Sequence, residues 1–163
     1  MAPDLEILYE VSHRLLHGLS GLTGRISVDR STRLLAFMDE TIIYFLARSE
    51  NVDRDLYFAD RDIRSILDKT INDIILCLVD ISEECLKKAK RNIPDTYRDT
   101  ILACHEFLGE IVLKVAPLVR HRNETIHQYL KVNWQNIVTV KSKVPSIKEF
   151  VETARVVLTE EPN

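Results

Sequence analysis

The stretch Ile71-Asn72-Asp73-Ile74-Ile75-Leu76-Cys77-Leu78-Val79-Asp80-Ile81-Ser82-Glu83-Glu84-Cys85 decides the fold. Ile71, Ile74, Leu78, Ile81 and Cys85 recur at steps of three and four, the period of a helix that packs one stripe into a bundle. No Gly or Pro interrupts the 69 residues from Arg25 to Ile93, which would span about 100 Å as a single helix. The whole chain of 163 residues holds four Gly and five Pro, where average usage would supply roughly 20. Hydrophobic content of 45 % and charged content of 29 % are ordinary for a packed domain. These features exclude a disordered chain, a collagen, a turn-rich β-sandwich and a glycine-loop nucleotide fold. The expected class is all-α.

Working outward, Leu35, Met38, Ile42 and Phe45 make an earlier stripe, with Asp29 or Ser31 as its cap. The central helix is expected from about Tyr57 to about Arg91, because Pro94 opposes continuation. The acidic stretch Glu50 to Asp62 should hold the turn before it. Asp95 can cap a further helix carrying Ile101, Cys104, Leu108, Ile111, Val115 and Leu118 on one side. Lys141 to Ser146, around Pro145, reads as a polar loop, and Ile147, Phe150, Ala154 and Val157 as a last amphipathic helix. Residues 4–19 read as another helix, closed off by Gly18, Gly21 and Gly24. No repeat or linker divides the chain. The expectation is one domain over residues 1–163, with 1–28 an N-terminal helical extension and 30–160 the bundle.

Formal charge is 22 minus 25, or −3. A global basic field for duplex nucleic acid is therefore absent, and any nucleic-acid role must be local. Cys77, Cys85 and Cys104 are odd in number, lie among apolar helical residues and lack metal-ligand spacing. They read as reduced core thiols of a cytoplasmic protein. MAPDLEILYE is too acidic for a signal peptide, and the longest apolar runs, Ile42 to Ala47 and Ile74 to Val79, are too short to span a membrane.

Past Pro117, which can start a new turn or kink the helix, the pattern breaks. Leu118 leads to Arg122, Thr125 and Tyr129, and a neighbouring stripe runs Val119, Asn123, Ile126, Leu130. Arg122 and Asn123 interrupt both at one level, with His127 a turn beyond. Unpaired buried polar groups cost kilocalories, so such breaks concentrate at functional sites. The bland reading stands beside this one: Arg122 capping carbonyls, His127 hydrogen-bonded in the core, Tyr129 a core or interface phenol. Arg122 and His127 also lie about 140° apart on a regular helix. They converge only through distortion or a second subunit. Lys114, Arg120, Arg122 and Lys131 against the single Glu124 give this stretch a local +3, which suits an anionic partner. Arg120 and Lys131 are candidate contacts to it.

Arg122-Asn123-Glu124-Thr125-Ile126-His127-Gln128-Tyr129 has the form R-x4-H-x-Y. It resembles the signature of HepT, the HEPN-type toxin of the HEPN/MNT toxin–antitoxin systems. NDIILCLVDISEECLKKAKRNIPDTY and IPDTYRDTILACHEFLGEIV upstream, and YLKVNWQNIVTVKSKVPSIKEFVETA downstream, resemble that family's helices. The resemblance covers roughly residues 30–160. Residues 1 to about 28 have no obvious counterpart, and Thr125 stands where an aliphatic residue is more usual.

The resemblance implies an antiparallel four-helix up-and-down bundle that forms a homodimer, bringing two copies of the motif to one cleft. Here it would carry an N-terminal helix and a short extra helix in addition. It implies metal-independent RNA cleavage without a cofactor, the ribose 2′-hydroxyl attacking the adjacent phosphate. His127 would move protons, Arg122 would meet charge on the phosphate, and Asn123 would orient either. It also implies an MNT nucleotidyltransferase antitoxin that adenylylates Tyr129, the added charge and bulk blocking RNA. A catalytically inactive helical dimer holding a nucleotide or the MNT protein in the same cleft is the alternative. A purely structural bundle is a third.

Overall fold

The computed structural model describes residues 29–122 and 133–160, and every regular element among them is helical. Helix α1 spans Arg30–Ser49. Asp29 stands at its N-cap without a side-chain bond to the first turn, and Ser31 is buried inside the helix. Leu35, Met38, Ile42 and Phe45 all face the core, as their spacing requires. The acidic stretch then does more than turn the chain. Asp53 accepts from the Leu56 amide and starts a short α2, Arg54–Ala59. Asp60 accepts from the Asp62 and Ile63 amides and starts α3, Arg61–Lys88. Two caps seven residues apart split what the periodicity reads as one helix start near Tyr57. Tyr57 sits in α2, fully buried.

The stripe Ile71, Ile74, Leu78, Ile81, Cys85 is buried along α3. Pro94 is not what stops this helix. Lys90 adopts a left-handed φ of 54°, the Arg91 amide donates to the Leu86 carbonyl at 2.9 Å and the Lys90 amide to the Lys87 carbonyl at 3.0 Å. That pair of bonds is a Schellman ending, with lysine where glycine is usual.

The next arm departs most from expectation. Thr96, not Asp95, caps it by accepting from the Asp99 amide. Instead of one helix there are α4 (Tyr97–Leu102), α5 (His105–Leu108), α6 (Ile111–Val115), a 3-10 turn at Ala116–Leu118, and helix again over 119–122. Yet Ile101, Cys104, Leu108, Ile111, Val115 and Leu118 are all buried. The stripe records burial correctly, but burial does not require one unbroken helix. Gly109 marks one break with φ 72° and ψ −159°, a region nearly closed to residues with a Cβ. Pro117 lies in the 3-10 turn, so its kink is realised as tightened winding.

The last helix, α7, runs Trp134–Thr159 without interruption and contains Pro145. The polar loop expected at Lys141 to Ser146 does not exist. Pro145 is exposed, so the carbonyl it fails to bond can face water, while Val144 and Ile147 on either side pack into the core. Packing outweighs the local cost of the proline.

Cross-links give the directions. Arg30 meets Glu84 at 3.0 Å and the Cys77 thiol reaches the Leu34 carbonyl, so α1 and α3 run antiparallel. Lys141 donates to the Ser49 carbonyl and Arg155 pairs with Asp39 at 2.7 Å, so α7 opposes α1. Lys114 to Glu149 and His121 to Asn136 make the 111–122 arm oppose α7. Lys88 reaches the Leu158 and Glu160 carbonyls, placing the C-terminal ends of α3 and α7 together. The architecture is an up-and-down four-helix bundle. Cys77, Cys85 and Cys104 are free and buried in it, and burial pushes each thiol up to about 12. They are inert core groups.

Two backbone substitutions should act in opposite directions. Lys90→Gly relieves a left-handed residue at the end of α3 and should raise stability by about 1 kcal/mol. Gly109→Ala meets open space but is strained by its backbone, and should lower stability by about 1–3 kcal/mol. Urea midpoints of the two variants against the parent protein measure both.

Candidate functional site

The folding back of the third arm creates the site. On one straight helix, Tyr97 and Arg122 would lie about 38 Å apart. Here the Arg122 Cζ stands 4.7 Å from the centre of the Tyr97 ring. The breaks between α4 and α6 let the arm reverse, so that α4 packs against the 3-10 turn and against α6. Asp95, Thr96, Tyr97 and Arg98 from the start of α4, with Val119 and Arg122 from the end of the arm, line a shallow recess of about 270 Å³.

Arg122 is half-buried. Its Nε is buried and, among the described residues, has no hydrogen-bond partner. Leaving such a donor unsatisfied costs about 1–3 kcal/mol, and a guanidinium over an aromatic face returns about 0.5–2 kcal/mol. Among the described residues, no carboxylate pairs with Arg122 and no carbonyl is capped by it.

The neighbouring residue has the opposite character. His121 is buried, and its Nδ1 lies 2.6 Å from Oδ1 of buried Asn136. With the amide oxygen as acceptor, Nδ1 carries the proton. This bond ties the chain just before residues 123–132 to the chain just after them. Downstream, Asn133 caps α7 through the Gln135 amide. Trp134 packs on the Tyr57 ring, centres 5.4 Å apart, and the Tyr57 hydroxyl donates to Asp68 at 2.7 Å. Burial and the adjoining Asp68 carboxylate push the Tyr57 phenol up, so it keeps its proton at neutral pH. Burial likewise raises Asp68, against the hydrogen bond from Tyr57. Both flanks of the motif segment are thus fixed to the bundle.

Of the residues singled out by sequence, Arg122 and Arg120 are described: Arg122 lies over Tyr97, and Arg120 is exposed and is not part of the recess lining. Asn123, His127, Tyr129 and Lys131 lie outside the described residues. Tyr97, His121 and Asn136 were not anticipated as site residues. For two of them a signal exists. His121 stands three after Leu118 and Arg122 four after, so the stripe offers both, and it is His121 that enters the core. Asn136 heads the buried series Val140, Val144, Ile147, a polar residue in an apolar stripe. Tyr97 carries no such mark, because its contact depends on the chain reversal. Among the described residues, no group of three His, Cys, Asp or Glu side chains could hold a metal ion. No helix of these residues is long and apolar enough to cross a membrane.

Comparison with known proteins follows the same segment. The family described as ribonuclease HepT-like matches residues 38–154. Nothing among the curated proteins matches the chain. Among solved structures, the tri-AMPylated Shewanella oneidensis HEPN toxin, in complex with its MNT antitoxin, superposes with a TM-score of 0.68 at 15 % identity. The match covers 78 % of this chain and 98 % of that toxin. The bundle is that toxin's fold, and this chain carries residues beyond it.

The His121–Asn136 bond can be weighed directly. His121→Ala and Asn136→Ala should each destabilise by about 1–3 kcal/mol, because each leaves a buried partner unsatisfied. The double variant should cost less than the sum of the two, by about 1 kcal/mol. Urea unfolding of the four proteins closes the cycle.

Proposed function

This chain belongs to the HepT-like ribonuclease family, and from that premise we propose that it is an RNA-cleaving toxin held in check by a nucleotidyltransferase antitoxin. The observation that carries this reading is Arg122. It opens the R-x4-H-x-Y segment as a cation lining a recess, over the Tyr97 ring and in no ion pair among the described residues, with the Asp95 carboxylate in the same lining. Arg98 lines the same recess, and Arg120 is exposed two residues before Arg122. An RNA phosphate would supply a counter-charge to Arg122.

The chemistry assigned to the motif is transesterification. The 2′-oxygen of one ribose forms a bond to the adjoining phosphorus, and the bond from phosphorus to the leaving 5′-oxygen breaks. The products are a 2′,3′-cyclic phosphate and a 5′-hydroxyl. His127 takes the 2′ proton, for which an imidazole near neutrality is suited, and a proton passes to the leaving oxygen. Arg122 meets the charge that grows on the non-bridging oxygens, as a donor that never deprotonates. Asn123 orients one of these groups. No metal ion is required by this route. A homodimer would bring two motif segments to one cleft and remove the difficulty that Arg122 and His127 are five residues apart. Arg120 and Lys131 would contact flanking phosphates.

Control would act at Tyr129. The related Shewanella toxin is tri-AMPylated and bound to an MNT antitoxin. By that likeness an MNT-type partner would place adenylyl groups on Tyr129, two residues after His127. Their charge and bulk would repel RNA from the cleft.

With total RNA or a structured oligonucleotide, the purified protein should cut, especially after phosphodiesterase treatment. His127→Ala should lower the rate by about 10²–10⁴-fold with an unchanged melting temperature. Absence of any His127-dependent product would instead favour a helical dimer that only binds the nucleotidyltransferase or a nucleotide. Co-expression with an MNT-type nucleotidyltransferase should raise the intact mass of the parent protein by whole adenylyl units. Tyr129→Phe should remain unmodified. Equal modification of both would place the acceptor elsewhere.

A further inference from the structure

Tyr97 lies 25 residues before Arg122, outside the R-x4-H-x-Y motif, on a helix of only six residues. It is 38 % exposed, a large apolar ring left partly open beside a charged group. The Arg122 guanidinium lies over its face at 4.7 Å, and the buried Nε of that guanidinium has no acceptor among the described residues. One end of the planar group is therefore fixed by packing rather than by hydrogen bonds. Thr96 and Asp99, which adjoin Tyr97, close on each other. The Thr96 hydroxyl donates to Asp99 Oδ2 at 2.7 Å and accepts from the Asp99 amide, which locks the first turn of α4 beneath the ring. Tyr97 borders the recess that Arg122 also lines.

We infer that Tyr97 is a positioning residue for RNA cleavage: its ring holds the Arg122 guanidinium at the mouth of the recess, ready for the phosphate at the scissile bond. This rests on the ribonuclease reading given above. A flat aromatic surface fixes the plane of a guanidinium without neutralising it, which a carboxylate partner would do. The guanidinium donors not used on the ring stay available to the charge developing on the phosphate, and little reorganisation is needed when RNA arrives. The hydroxyl of Tyr97 has no part in this, since the ring face makes the contact.

The test compares Tyr97→Leu, Tyr97→Phe and Arg122→Lys with the parent protein on one RNA substrate, reading kcat, KM and melting temperature. Loss of the stacking should lower kcat by about tenfold in Tyr97→Leu, with KM changed less. Tyr97→Phe should restore most of the rate, and Arg122→Lys should fare worse than Tyr97→Leu because an ammonium cannot stack as a plane. The Arg122 Nε–H proton resonance, shifted upfield by the ring in the parent protein and Tyr97→Phe, should return to the ordinary position in Tyr97→Leu. Cleavage by Tyr97→Leu at the parent rate would overturn the inference and leave the ribonuclease reading standing. So would equal losses in Tyr97→Leu and Tyr97→Phe, or a loss that tracks a fall in melting temperature. A parent protein that cuts no RNA, with or without phosphodiesterase treatment, would overturn both.

Discussion

Everything at the motif end of the bundle depends on the third arm folding back between Tyr97 and Arg122. A straight helix would satisfy the backbone better and bury the same stripe, but it would leave Arg122 with no aromatic surface and the recess with no wall. The reversal needs residues that tolerate unusual backbone, and the arm supplies them: Gly109 at φ 72° and Pro117 in the 3-10 turn. Short helices that each expose backbone groups are individually weak. They persist because Ile101, Cys104, Leu108, Ile111, Val115 and Leu118 remain buried against α3 and α7. The strain is local, and the core that pays for it is shared by the whole bundle.

Around that constraint, two adjacent residues do different work. His121 turns inward and is tied to Asn136, which makes the two flanks of residues 123–132 neighbours. Arg122 turns toward the recess and lies over the Tyr97 ring. The Tyr57–Asp68 hydrogen bond and the Tyr57–Trp134 stack hold the start of α7 from the other side. The chain on either side of residues 123–132 is thus anchored to the apolar core. This agrees with membership of a ribonuclease family and with the shared fold of the Shewanella toxin.

Much of this was legible in the sequence, and the exceptions share a physical cause. The stripes of α1 and α3 predicted buried faces because helical period and burial are directly linked. The family resemblance was legible through Arg122 and its neighbours, and the matched region 38–154 lies inside the range read for it. What periodicity could not show was whether a stripe runs through one helix or several, since turns at 103–104 and Gly109 preserve the phase of burial while breaking the helix. Pro145 erred in the other direction. A residue that usually ends helices sits on the solvent side of α7, where packing by Val144 and Ile147 prevails. Tyr97 could not be found by spacing at all. Contacts between residues far apart in the chain depend on tertiary geometry, and no local pattern encodes them.

The central claim is that the motif end cuts RNA by using the substrate's own 2′-hydroxyl. The direct measurement uses two oligonucleotides identical except at the cleaved position, one with ribose and one with 2′-deoxyribose. The account predicts cleavage of the first to a 2′,3′-cyclic phosphate and a 5′-hydroxyl, and no cleavage of the second at that bond. Equal cleavage of both, or a 5′-phosphate on the product, would contradict it.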